Sequence, residues 1–158
     1  MNPRCGIADR VLVIAYGNPL RSDDGIAWQA VEEIRRKLPF LTIVCVHQLT
    51  PELSKDASGA DTIIFIDAMS SGEPGKVQCQ TVSADCTRVD LSHNLAPAQV
   101  LAFCKQLYEV EPRAFLISIG GKCFDHGERL SVAAENALPR VTAMVNELLN
   151  QIEIHAAK

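Results

Sequence analysis

Two adjacent carboxylates, Asp23 and Asp24, lie in the stretch VLVIAYGNPLRSDDG over residues 11–25. A third, Asp67, ends the apolar run DTIIFID, while His47, Glu52 and His93 fall in polar segments further along. Two carboxylates and an imidazole suit a divalent transition metal with open coordination positions. Adjacent acids at a turn need solvent, a cation or the positive end of a helix nearby. Each residue also has a plainer role open to it. Asp23 can cap a helix, Asp24 can be a first-turn acid stabilised by the helix dipole, Asp67 can bond a neighbouring turn, and His93 can face water.

The elements around these residues decide whether they meet. Val11–Tyr16 is apolar without alternation, as expected of a strand buried on both faces. Ile26, Ala30, Ile34 and Leu38 share a helical stripe, with Ser22 or Asp23 as its cap and Pro39 as its stop. A second strand is predicted over Leu41–Val46. Thr50 and Pro51 fit the N-cap and first position of a short helix that carries Leu53 and Ala57 and closes at Gly59. Asp61–Asp67 is the third strand. Lys76–Val82 alternates and reads as a half-exposed edge strand, antiparallel to its neighbour. Asp85–Asn94 is a polar loop, Pro97–Tyr108 a helix, Ala114–Ile119 a buried strand and Lys122–Glu128 a loop. Ser131 caps a last helix, in which Pro139 predicts a kink or break.

Strands alternating with helices at this spacing imply parallel βαβ units. The expected fold is a three-layer α/β/α sandwich, phosphorylase/hydrolase-like, with a mostly parallel sheet of about five strands, formed by residues 1–158 as a single domain. Parallel strands put Asp24, His47, Glu52 and Asp67 on one edge of the sheet, the edge where open α/β sheets bind ligands. His93 occupies a loop of its own.

Other chemistries fit poorly. No G-x-S-x-G elbow occurs, since Ser118-Ile119-Gly120 lacks the first glycine. Cys123 and His126 could form a thiol–imidazole pair or half a zinc site, but no second half follows at zinc-like spacing. The turn over 17–25 has two glycines and no P-loop lysine, and its carboxylates would repel phosphate. A net charge of −4 argues against nucleic acid as a partner. The six cysteines include no C-x-x-C pair, and the segment before Val11 is short and polar. Both features fit reduced thiols in a cytoplasmic protein, with Cys45 and Cys104 in the core. No apolar run reaches the ~20 residues that span a membrane. A monomer is expected.

In combination, GNPLRSDDG, HQLTPEL, IDA and SHNLAP, in that order, resemble the hydrogenase maturation proteases, the nickel-dependent endopeptidases that process the large subunit of [NiFe] hydrogenases. The resemblance runs from about Val11 to Leu149. The form HQLTPEL is similar to that of proteases serving bidirectional, NAD-linked hydrogenases. Tyr16 departs from the pattern, standing where a small residue is common, and the 122–128 loop carries no recognisable motif.

The resemblance implies metal ligation by Asp24, Asp67 and His93, which would also be the catalytic set, leaving Asp23 as a cap or supporting residue. It implies one endoproteolytic cut, removing the C-terminal extension of the large-subunit precursor after nickel insertion. The nickel arrives with the precursor and is retained weakly or not at all by the isolated protease. His47, Gln48 and Glu52 border the expected site and are candidates for precursor contact. Two other functions would use the same scaffold: a noncatalytic chaperone for metal or precursor, and a metal-dependent hydrolase of small molecules or peptides.

Overall fold

A computed structural model describes residues 10–86 and 95–156. Its strands are β1 (Val11–Tyr16), β2 (Thr42–Val46), β3 (Thr62–Met69), β4 (Val77–Val82) and β5 (Arg113–Gly120). The helices are α1 (Ile26–Lys37), α2 (Leu53–Ser58), α3 (Pro97–Tyr108) and α4 (Val132–Ala156), and a 3-10 turn over Ser22–Gly25 leads into α1. The five strands form one sheet in the order β2-β1-β3-β5-β4. All neighbours are parallel except the edge strand β4, which runs antiparallel to β5.

The alternation of side chains along each strand sorts the core into two layers. On one face Val11, Val13, Ala15, Ile64, Ile66, Ile117 and Ile119 pack against the apolar stripes of α1 and α4. On the other, Leu12, Ile14, Ile63 and Phe65 pack against Leu53 and Ala57 of α2 and Val100, Leu101 and Cys104 of α3. Strands β1 and β3 are covered on both faces, which explains their unbroken apolar sequence. Strand β4 lies at the edge of the sheet, and its central residues are exposed.

The connection from β1 through α1 leads to β2 on one flank, and that from β2 through α2 returns to β3 on the other flank of β1. The strand order reverses between β1 and β3. Ligands of doubly wound sheets bind in the crevice outside the strand ends at such a reversal.

Three expectations need correction. Helix α2 begins at Leu53, after a turn. The Leu53 N–H bonds the Thr50 carbonyl at 3.2 Å, and the Thr50 hydroxyl is engaged by the Glu52 carboxylate, so its side chain is not the helix cap. Helix α4 is not broken at Pro139; its buried stripe of Ala137, Val141, Val145 and Leu148 holds it to the sheet on both sides of the proline. Cys104 is buried as expected, whereas Cys45 is only half-buried because β2 is an edge strand.

Candidate functional site

The C-terminal ends of β1 and β3 place Tyr16 and Asp67 side by side. The register pairs Ala15 with Ile66, so the next residue of each strand shares the sheet face of Ile14 and Phe65. The Tyr16 hydroxyl donates a hydrogen bond to the Asp67 carboxylate. Beyond Tyr16 the chain turns sharply at Gly17, whose φ is 142°. A side chain there would bring its Cβ to 2.1 Å from the Asp24 carbonyl oxygen. The close approach folds the acidic segment back over the end of β1, and Asp24 Oδ2 accepts the Asn18 N–H at 2.8 Å. Gly17→Ala is therefore expected to destabilise the protein by about 2–3 kcal/mol, from strain and displacement of the turn, read as a lower urea midpoint at unchanged m.

Asp24 and Asp67 are close enough to interact electrostatically. Burial, with the Asp24 charge adding to it, pushes the Asp67 carboxyl up to about 7, against the opposing hydrogen bonds from Tyr16 and the Ala68 N–H. Burial, and then the Asp67 charge, also raises the Tyr16 phenol above its ordinary range. A cation seated against both acids would reverse the repulsion between them and favour the charged form of Asp67. The pair therefore suits a metal, with Asp24 and Asp67 supplying oxygen donors. Among the described residues no group of three potential ligands gathers, so a third donor must come from elsewhere. His93 lies outside the described residues.

Asp23 behaves differently from its neighbour. It is fully buried, and its carboxylate turns away from α1. It accepts the N–H groups of Lys122 at 2.7 Å and Cys123 at 3.1 Å, and the N–H and hydroxyl of Ser131, each at 2.7 Å. Burial alone would raise its pKa, but the bonds from Ser131, Lys122 and Cys123 outweigh it and hold the carboxyl below its usual range. The expectation that Asp23 caps the following helix is thus corrected: neither the 3-10 turn nor α1 has a side-chain cap. Asp23 instead ties the acidic turn to the loop leading into α4, where Ser131 Oγ in turn accepts the Ala134 N–H at 3.3 Å.

The 122–128 loop, which carries no motif, is the other half of this fastening. Arg21 and Gly127 form a bridge, and the Ser22 N–H bonds the Gly127 carbonyl at 2.7 Å while its hydroxyl bonds the Asp125 carbonyl at 2.9 Å. Cys123 contacts Asp125, with 3.7 Å between Sγ and Oδ2. The loop serves as a brace, and the described residues provide no metal cluster around Cys123 and His126.

His47 stands beside the site through Trp28. The indole N–H of Trp28 donates to the Gly17 carbonyl at 2.9 Å, and the His47 ring meets the indole edge-to-face at 5.6 Å. His47, Gln48 and Glu52 are exposed at the end of β2 and the start of α2. Backbone bonding first, then the Thr50 hydroxyl, lowers the Glu52 carboxyl below its ordinary value. Sequence reading missed Tyr16, Trp28 and Ser131 as supports of the acids. Tyr16 alone offered a local signal, because a phenol at the buried end of a strand needs a hydrogen-bond partner.

No model of a known family and no curated protein matches the chain. Among solved structures, the hydrogenase maturating endopeptidase HybD from E. coli superposes with a TM-score of 0.72 at 20% identity, over 90% of this chain and 93% of that one. The [NiFe] hydrogenase maturation protease HybD from Thermococcus kodakarensis gives 0.70 at 24% identity, over 89% and 99% of the two chains. The maturation protease HycI from Thermococcus kodakarensis KOD1 gives 0.69 at 20% identity, over 90% and 93%. With its mostly parallel five-stranded sheet, reversal between β1 and β3 and flanking helix layers, the chain shares the fold of the hydrogenase maturation endopeptidases.

Proposed function

We propose that this protein is a nickel-dependent endopeptidase that removes the C-terminal extension of a [NiFe] hydrogenase large-subunit precursor after nickel has been inserted. The observation that carries the proposal is the electrostatic proximity of Asp24 and Asp67 at the strand-order reversal of a fold shared with hydrogenase maturation endopeptidases. In this reading the nickel belongs to the substrate. Asp24, Asp67 and His93 complete the coordination of an ion that the precursor already holds, so cleavage follows only a loaded precursor. A carboxylate of the site can also accept a proton from an attacking water, so the acids are candidates for the general base. His47, Gln48 and Glu52 contact the precursor beside the cut. HQLTPEL points to a bidirectional, NAD-linked hydrogenase as the system served, and the protein acts as a cytoplasmic monomer.

Incubation of nickel-loaded and nickel-free precursor with the purified protein tests this directly. The loaded precursor is expected to shift to the mature mobility and the nickel-free one to stay uncut. Asp24→Asn and His93→Ala are each expected to slow the shift at least ~100-fold, as loss of a ligand exceeds the usual cost of losing a supporting partner. Replacing residues 47–53 with those of a relative is expected to change which precursor is cut. Binding without truncation would identify a chaperone, and turnover of small peptides without a precursor would identify a general hydrolase. Full activity in both ligand variants would overturn the site.

A further inference from the structure

The geometry points to Tyr16 as a positioning residue that holds Asp67 in the orientation needed to recognise a metal-loaded partner. This inference rests on the reading of Asp67 as a ligand to substrate nickel. Tyr16 and Asp67 are the residues that follow Ala15 and Ile66, the last positions paired between β1 and β3. They project to the same face, where the Tyr16 ring packs against the buried cluster of Leu12, Ile14, Ile63 and Phe65. The ring is anchored by the sheet, and its hydroxyl reaches the Asp67 carboxylate. A second bond from the Ala68 N–H reaches the same carboxylate.

Asp24 is held in a comparable way. Its Oδ2 is taken by the Asn18 N–H at 2.8 Å. Each acid is therefore fixed by donors from the protein, with lone pairs left over for a ligand. A carboxylate has about four acceptor sites, so two donors on Asp67 leave room for a cation. Without the Tyr16 hydroxyl, Asp67 keeps a single backbone bond and gains freedom to rotate about its side-chain torsions. Rotational freedom must then be lost again when the ion is bound. Partners that orient a ligand typically affect metal affinity by 10–100-fold.

A ring that merely filled the core would act on the fold and not on recognition of the ion. The test compares binding of nickel-loaded and nickel-free precursor to wild type, Tyr16→Phe and Asp67→Asn, by biolayer interferometry with precursor immobilised. Wild type is expected to prefer the loaded form, and Asp67→Asn to lose the preference. Tyr16→Phe is expected to bind the loaded form about tenfold more weakly, bind the nickel-free form unchanged, and melt within a few degrees of wild type. Equal weakening toward both forms, a wild-type preference in Tyr16→Phe, or loss of the fold on removing one hydroxyl would overturn the inference. Failure of wild type to prefer the loaded form, or an undiminished preference in Asp67→Asn, would instead overturn the underlying reading of Asp67.

Discussion

Asp23→Ala is expected to destabilise the protein by about 3–5 kcal/mol at pH 7, the upper range for a single substitution. The carboxylate is fully buried and accepts four hydrogen bonds, from Lys122, Cys123 and both donors of Ser131. Alanine leaves all four donors without their acceptor, at about 1–3 kcal/mol for each that water does not reach. Lys122 is exposed and Cys123 and Ser131 are half-buried, so water recovers part of the loss. Asp23→Asn keeps one acceptor oxygen but turns an amide N–H₂ toward N–H donors, and a loss of about 2 kcal/mol is expected.

The pH dependence separates this network from simple loss of packing. The folded Asp23 carboxyl is held below its usual range, so its stabilising effect is fully present above the unfolded value of about 3.9. It is lost as pH falls through the folded value. The difference between wild type and Asp23→Ala in urea midpoint should therefore be flat from pH 8 to 5 and shrink in stronger acid. A gap that stays constant down to pH 2 would show that the charge plays no part.

The fold was legible because its signals are local and repeated. Unbroken apolar runs in β1 and β3, the stripe of α1 and the proline at the start of α3 each sit within a few residues of their cause. The electrostatic proximity of Asp24 and Asp67 was legible at one remove, since parallel strands bring their C-terminal ends to one edge. The division of labour between Asp23 and Asp24 was legible only in outline. Asp24 lies close enough to Asp67 to act on its charge, but the partners of Asp23 are about a hundred positions away, at Lys122, Cys123 and Ser131. No spacing rule connects residues so distant in the chain, and the 122–128 loop that holds the acidic turn has no pattern of its own. Pro139 failed as a helix breaker for a related reason. Its local penalty of ~3 kcal/mol is set against the burial of Val141, Val145 and Leu148 on the sheet, at roughly 1.5–3 kcal/mol per large apolar side chain.

Asp67→Asn is expected to make the protein more stable and functionally silent. Burial and the nearby Asp24 push the folded carboxyl up to about 7, well above its unfolded value of about 3.9. For an acid displaced in this direction the folded state resists ionisation. Stability therefore falls as pH rises through the unfolded pKa and levels off above the folded one. Asparagine keeps an oxygen for the Tyr16 hydroxyl and the Ala68 N–H and carries no charge. Above pH 7 the variant should unfold at a higher urea midpoint, by on the order of 2–4 kcal/mol at about 1.4 kcal/mol per pKa unit. Near pH 3.5, where Asp67 is protonated in both states, the advantage should nearly vanish. Processing of nickel-loaded precursor by the same variant should fall at least ~100-fold, because a neutral amide is a poorer cation ligand and no base. Opposite signs for stability and processing are what a buried acid retained for function predicts. A variant that is less stable at pH 8, or that cuts the precursor at the wild-type rate, would show Asp67 to be a structural residue of the strand end.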